Sequence, residues 1–153
     1  MIEAHWTAYV TALTVPVLAT LGAAIAYRQW RTAQNKLKLD LFDKRMLVYQ
    51  AARDALRHIT SHAELGPEQQ IKYLSGIQTA KWLFGSEVDT YLSKTLWHKI
   101  IDLELHRTMV YDAPTDNPER GKHVQLKAET LKWLMDQYSV LDIKFSKYMA
   151  LGH

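Results

Sequence analysis

The first distinct pattern along the chain is a run of 22 residues without a formal charge, from Trp6 to Tyr27. At about 1.5 Å of helical rise per residue, this run would be roughly 33 Å long, which matches the hydrocarbon layer of a bilayer. Aromatic residues lie near both ends, with Tyr9 close to the start and Trp30 just past the end. Such rings favour the membrane–water interface. The pattern predicts a transmembrane anchor within residues 1–30.

A cleaved signal peptide is the alternative, because Ala24-Ile25-Ala26 resembles a small-residue cleavage site. Signal peptides, however, carry positive charge before the apolar run, and Glu3 is the only formally charged side chain there. Basic residues follow the run instead: the segment 28–45 contains six basic and two acidic residues, whereas the chain from residue 46 onward contains thirteen of each. The positive-inside tendency therefore predicts a single-pass protein of the bacterial inner membrane, with the N-terminus outside and the domain 31–153 in the cytoplasm.

The predicted anchor has a face of small side chains. Five alanines fall within about 60° of one another at 100° per residue: Ala8, Ala12, Ala19, Ala23 and Ala26. Small faces allow helices in lipid to approach closely, so the pattern predicts a homo-oligomer, although alanine is also common in single spans. Four basic residues next to the anchor are expected to contact anionic lipid headgroups: Arg28, Arg31, Lys36 and Lys38.

The rest of the chain shows helical periodicity and no strand pattern of useful length. Neither Gly nor Pro occurs from Ala23 to Leu65, so we expect the anchor to continue into one long helix that ends at Gly66-Pro67. Further helices are predicted over residues 67–83, 87–111 and 122–150. Ser86 is the expected N-cap of the third helix, and DAPTDNPERG at 112–121 has the composition of a loop.

Apolar residues at spacings of three and four mark the inward faces of the last two helices. In the third helix they are Val88, Leu92, Leu96, Ile100 and Leu103. In the last helix they are Leu131, Leu134, Tyr138, Leu141, Phe145 and Tyr148. The sequence therefore predicts an all-α protein, in which an N-terminal transmembrane helix continues into a cytoplasmic four-helix bundle.

Candidate chemistry is sparse. The six glycines are scattered, so there is no glycine-rich phosphate loop, and the chain has no cysteine. His58 and His62 are four residues apart and share a helix face, but no third metal ligand is indicated by spacing. Solvent-exposed histidines are the better interpretation. The sequence predicts neither a metal site nor a cofactor.

The segment RDALRH places Arg53, Asp54 and His58 in the order Arg, a polar residue, three spacers, His. In RNA cleavage a His could take the proton of a ribose 2′-hydroxyl, and an Arg could stabilise the phosphate charge. On one helix the two side chains lie about 140° apart, so they would converge only near a helix end or across a dimer seam. Arg57 and His62 repeat the spacing without the polar second residue.

This motif resembles that of the HEPN superfamily, whose all-helical domains are often RNases and typically pair so that two motifs face each other. The motif in an all-helical body next to a membrane anchor resembles the small HEPN-like accessory proteins of type VI CRISPR systems. Those proteins assemble into a ring-shaped membrane pore. The segments 28–51 and 80–92 are also similar to a widespread family of bacterial single-anchor proteins, a resemblance that carries no biochemical function.

These resemblances imply an oligomeric membrane protein, a pore-forming or membrane-disrupting component of antiphage defence in which the motif need not be catalytic. The implied partners are membrane lipid, further copies of the chain, and RNA or a CRISPR effector complex. One alternative is a membrane-tethered, metal-independent endoribonuclease that uses Arg53, Asp54 and His58 as catalytic residues. Another is a membrane scaffold or sensor that binds a protein through its last helix.

Overall fold

A computed structural model describes the backbone of residues 3–114 and 117–150, and the side chains of these residues from Pro16 onward. All regular structure in these ranges is helical, which confirms the all-α prediction. The chain divides into two compact units, one up to Asp40 and one from Leu41 onward. The first helix, α1 (Glu3–His62), is continuous over 60 residues, as the absence of Gly and Pro after Ala23 predicts.

In the first unit, every residue from Pro16 to Asp40 is exposed. The exposed set contains eight large apolar side chains: Val17, Leu18, Leu21, Ile25, Tyr27, Trp30, Leu37 and Leu39. Within the described part of the chain, no helix combines the length and the apolarity needed to cross a membrane. Residues 6–15 of the predicted anchor, which include Ala8 and Ala12, lie outside the described side chains.

The second unit contains the end of α1 and the following helices: α2 (Pro67–Ile77), α3 (Ala80–Phe84), α4 (Ser86–Thr90), a π-helical turn (Tyr91–Leu96), α5 (Trp97–Asp112) and α6 (Pro118–Met149). The helix predicted over 67–83 is thus divided at residues 78–79. The helix predicted over 87–111 is one helical stretch from Ser86 to Asp112 that contains the π turn.

Two predicted helix starts are wrong. Ser86 is the first residue of α4 and not its cap; the cap is Gly85, whose φ of 84° favours glycine. The last helix begins at Pro118, four residues before the predicted start. Asn117 caps it, since its side-chain oxygen accepts a hydrogen bond of 2.9 Å from the backbone N–H of Glu119. Proline is well tolerated at the first helical position because its missing N–H would have no partner there.

Among the side chains that the structure describes, the hydrophobic core lies in the second unit and takes members from all its helices. The five inward positions predicted for the third helix are all buried. On α6, Leu134, Leu141 and Phe145 are buried, and the other three predicted positions pack against the core while partly exposed. The periodicity therefore identified the correct faces.

Buried hydroxyl groups support the π turn. The carbonyl of Leu92 accepts two hydrogen bonds. One comes from the backbone N–H of Trp97, five residues on, and the other from the Tyr73 hydroxyl at 2.8 Å. The Tyr91 hydroxyl donates to Gln137 Oε1 at 3.0 Å. Burial raises the pKa of Tyr73 well above its usual range and that of Tyr91 to about 12, so both rings stay neutral donors.

α2 lies close to α1 at Gly76. A Cβ atom built there would overlap the Cβ of Ala51 on α1. We expect Gly76→Ala to lower the free energy of unfolding by about 1–3 kcal/mol, because the two helices must move apart. Gly121→Ala is the matched control, since Gly121 lies inside α6 with no neighbour within 4 Å. That change should stabilise the fold by up to about 1 kcal/mol. Urea denaturation would measure both variants. Equal free energies of unfolding for the two would contradict the close contact at Gly76.

Candidate functional site

The predicted motif lies on α1 within the second unit, and its members face two different neighbours. Arg53 faces α6. Its guanidinium contacts the hydroxyl of Tyr49, which is also on α1, and lies 3.4 Å from Asp142 Oδ1 on α6. The Tyr49 hydroxyl in turn donates to the same carboxylate at 2.6 Å. Burial, followed by the hydrogen bond to Asp142, raises the pKa of Tyr49 and keeps it a donor. Arg53 therefore belongs to a polar contact between α1 and α6.

Asp54 and His58 instead line an open cleft of about 530 Å³ between α1 and α2. Arg57 and His62 from α1 and Lys72 from α2 line the same cleft. Imidazole, guanidinium and ammonium groups around one space could bind a phosphate group. No role for Lys72 could be predicted from the sequence, because α2 carries no motif and only the fold brings Lys72 beside α1.

The charges of this cleft are largely paired within the chain. Asp54 Oδ1 accepts from Arg57 at 2.9 Å, and Lys72 Nζ lies 2.7 Å from Glu68 Oε1. Both pairs are exposed, so each contributes little to stability. An incoming phosphate would therefore have to compete with a carboxylate for each cation.

The two histidines of the cleft do not converge on a common point. Their rings are stacked, with centroids 4.3 Å apart and planes 20° apart, and His62 Nδ1 lies 3.1 Å from the carbonyl oxygen of His58. Across the described ranges, no group of three or more His, Asp or Glu side chains is placed to hold a metal ion. The cleft thus offers acid–base and cationic groups but no assembled metal centre.

Within one chain, then, Arg53 and His58 are not placed around the same substrate position. The two cationic side chains that line the cleft together with His58 and Asp54 are Arg57 and Lys72. This follows from helix geometry, since residues five apart lie on different faces of α1. An Arg53–His58 catalytic pair would have to be completed by a second chain.

A second group of predicted site residues lies on the first unit. Arg28, Arg31, Lys36 and Lys38 are exposed, as are Ala19, Ala23 and Ala26. The rings of Tyr27 and Trp30 lie together, with centroids 6.1 Å apart, where the basic residues begin. Both threonines from Pro16 to Asp40 donate to carbonyls of their own helix: Thr20 to Val17 and Thr32 to Arg28, each at 2.9 Å.

One residue of the basic segment, Arg45, has an internal role that the sequence pattern does not indicate. Arg45 is half-buried in the second unit, where its Nη1 donates to the Tyr148 carbonyl at 2.7 Å and its Nε to the Leu83 carbonyl at 3.3 Å. Its guanidinium also lies 5.9 Å from the ring centroids of Phe84 and Tyr148. Arg45 therefore joins α1 to the ends of α3 and α6.

Comparison with protein-family models, with curated proteins and with solved structures finds no match to this chain. The HEPN and CRISPR resemblances therefore stay predictions from the motif and the architecture.

Proposed function

We propose that this protein is a membrane-attached, self-associating helical protein, and that it acts as a pore-forming or membrane-disrupting component of antiphage defence. Its attachment element is the charge-free run with the basic residues that follow it. Its helical second unit would lie on the cytoplasmic side. The proposed main partners are lipid and further copies of the chain. RNA or a CRISPR effector complex is the candidate activating partner.

The observation that carries the proposal is the exposed apolar surface of α1 between Pro16 and Asp40. Leu18 is 62% exposed, and seven further large apolar side chains in this stretch are also exposed. An apolar surface of this length costs free energy in water, because each side chain would gain about 1.5–3 kcal/mol from burial. Lipid tails or neighbouring helices would cover it.

Three further features of the same stretch fit a lipid environment. The Tyr27–Trp30 pair lies where the basic residues begin, which is the level that aromatic rings take at the interface. The Thr20 hydroxyl is already hydrogen-bonded to its own helix, so it would enter lipid without an unsatisfied donor. The exposed basic residues would meet anionic headgroups.

Self-association is proposed from the small-residue face. Ala19, Ala23 and Ala26 fall on one side of α1 and are exposed, so a second helix could approach the backbone closely there. A ring of helices would form where this face of each copy packs against a different face of the next copy. The catalytic alternative stays a prediction from the motif, since Arg53 and His58 lie in different contacts of one chain.

Vesicle flotation with the purified full chain tests the attachment. We expect a variant with Arg28, Arg31, Lys36 and Lys38 changed to Gln to bind anionic vesicles more than tenfold more weakly, since each basic residue contributes about 1 kcal/mol at such a surface. Binding to neutral vesicles should be unchanged, because the apolar stretch remains. The matched control changes four lysines of the second unit to Gln: Lys94, Lys122, Lys127 and Lys132. Equal losses in both variants would contradict the assigned lipid contact.

A further inference from the structure

Two histidines outside the cleft face each other across the α5–α6 hairpin. His106 lies on α5 and His123 on α6, and both side chains are half-buried. Their Nδ1 atoms are 3.2 Å apart, with ring centroids 5.3 Å apart and planes 40° apart. The sequence separates these residues by 17 positions and a loop, so only the packing of α5 against α6 brings them together.

The spacing of the two Nδ1 atoms is that of two ligands on one metal ion. Zinc binds imidazole nitrogen at about 2.0–2.1 Å, and a tetrahedral angle then puts two ligand nitrogens about 3.4 Å apart. The present distance is within a few tenths of an ångström of this value. In the metal-free protein, one neutral imidazole would donate its Nδ1–H to the other Nδ1, and a cation would take the place of that single proton.

We propose that His106 and His123 form an open binding site for a divalent transition-metal cation such as Zn²⁺. The two Nδ1 atoms supply two ligands, and water fills the other positions, because no third His, Asp or Glu of the described ranges joins the pair. Imidazole nitrogen suits Zn²⁺, Cu²⁺ and Ni²⁺ and disfavours Mg²⁺ and Ca²⁺. Two protein ligands, against four in structural zinc sites, imply weaker binding than at such sites.

A cation at this site would hold α5 and α6 together next to the loop that connects them. The ligands come from different helices, so the site exists only when the hairpin is folded, and metal binding stabilises the folded state. This inference is independent of the membrane proposal, since both residues lie in the second unit and on no element of the predicted anchor.

The chain provides its own control in His58 and His62. These two histidines are four residues apart on one helix, a spacing that can bind a metal ion. Their rings are stacked, however, and the Nδ1 of His62 faces a carbonyl oxygen. They should add little to Zn²⁺ affinity. A general attraction of Zn²⁺ to histidine-containing helices would, in contrast, affect both pairs.

Isothermal titration of the full chain with Zn²⁺, without an added histidine tag, tests the site. We expect one Zn²⁺ per chain, and a more than tenfold loss of affinity in His106→Gln and in His123→Gln separately. The double variant His58→Gln/His62→Gln should bind as the unmodified chain does. Zn²⁺ should also raise the melting temperature of the unmodified chain and of the control, but of neither single variant.

The proposal is overturned if the unmodified chain shows no saturable binding, or if His106→Gln binds Zn²⁺ as well as the unmodified chain. Circular dichroism without metal checks that each variant is folded. Should one single variant lose its helical signal, the other still decides the question, since each removes one of the two ligands.

Discussion

Replacing Phe145 with alanine is expected to lower the free energy of unfolding by about 3–5 kcal/mol, the largest stability effect that we expect of a single substitution in this chain. Phe145 is 0% exposed. Its ring packs against Tyr49 of α1, with centroids 5.5 Å apart, and edge-on against Phe84 of α3 at 4.7 Å. One side chain thus joins three helices, and alanine would leave a cavity at their junction.

Ile143 on the same helix is the control, because it is 72% exposed. Ile143→Ala should change the free energy of unfolding by no more than about 0.5 kcal/mol. Urea denaturation followed by tryptophan fluorescence would measure both variants in the full chain. Similar midpoints for the two would mean that α6 does not pack on the face described here.

Introducing two carboxylates into the exposed apolar stretch is expected to release the protein from membranes. Leu21 and Ile25 are 55% and 56% exposed and lie on α1 before the basic residues. An aspartate at the centre of a membrane helix costs up to about 2.5–3.5 kcal/mol, so the double variant Leu21→Asp/Ile25→Asp would lose several kcal/mol of membrane affinity. The protein should move from the membrane pellet to the supernatant, and its membrane-dependent activity should be lost.

The same chemical change at two apolar positions of the second unit, both more exposed than Leu21 and Ile25, provides the comparison. Ile71 is 68% exposed on α2, and Ile143 on α6 has the exposure given above. Ile71→Asp/Ile143→Asp should leave the protein in the membrane pellet, because neither side chain belongs to the proposed attachment surface. Release by both double variants would show that added negative charge, and not its position, is responsible.

The helices were predictable where the pattern is local. A stretch without Gly or Pro after Ala23 gives the unbroken α1, and spacings of three and four give the buried face of α6. The π turn was not predictable from local pattern. One of its carbonyls, that of Leu92, accepts a hydrogen bond from the Tyr73 hydroxyl, which lies on another helix. The early start of α6 was visible in the sequence, since an Asn before a Pro is a common N-terminal pair, but the loop composition obscured it.

The candidate site was also predictable only where the pattern is local, and its contacts between helices were not. Helical spacing indicates that Arg53 and His58 diverge, and they do face different neighbours. The spacing could not indicate that Asp142, 89 residues away, pairs with Arg53. Nor could it relate His106 to His123, since their approach depends on how α5 packs against α6.

Cell fractionation of the unmodified, untagged chain tests the membrane proposal most directly. The proposal predicts that the protein sediments with membranes, that it stays there through high-salt and alkaline washes, and that detergent releases it as an oligomer. Washing removes proteins held by charge alone, so retention would assign the attachment to the apolar stretch of α1. Recovery of the native protein in the supernatant without detergent would contradict the proposal.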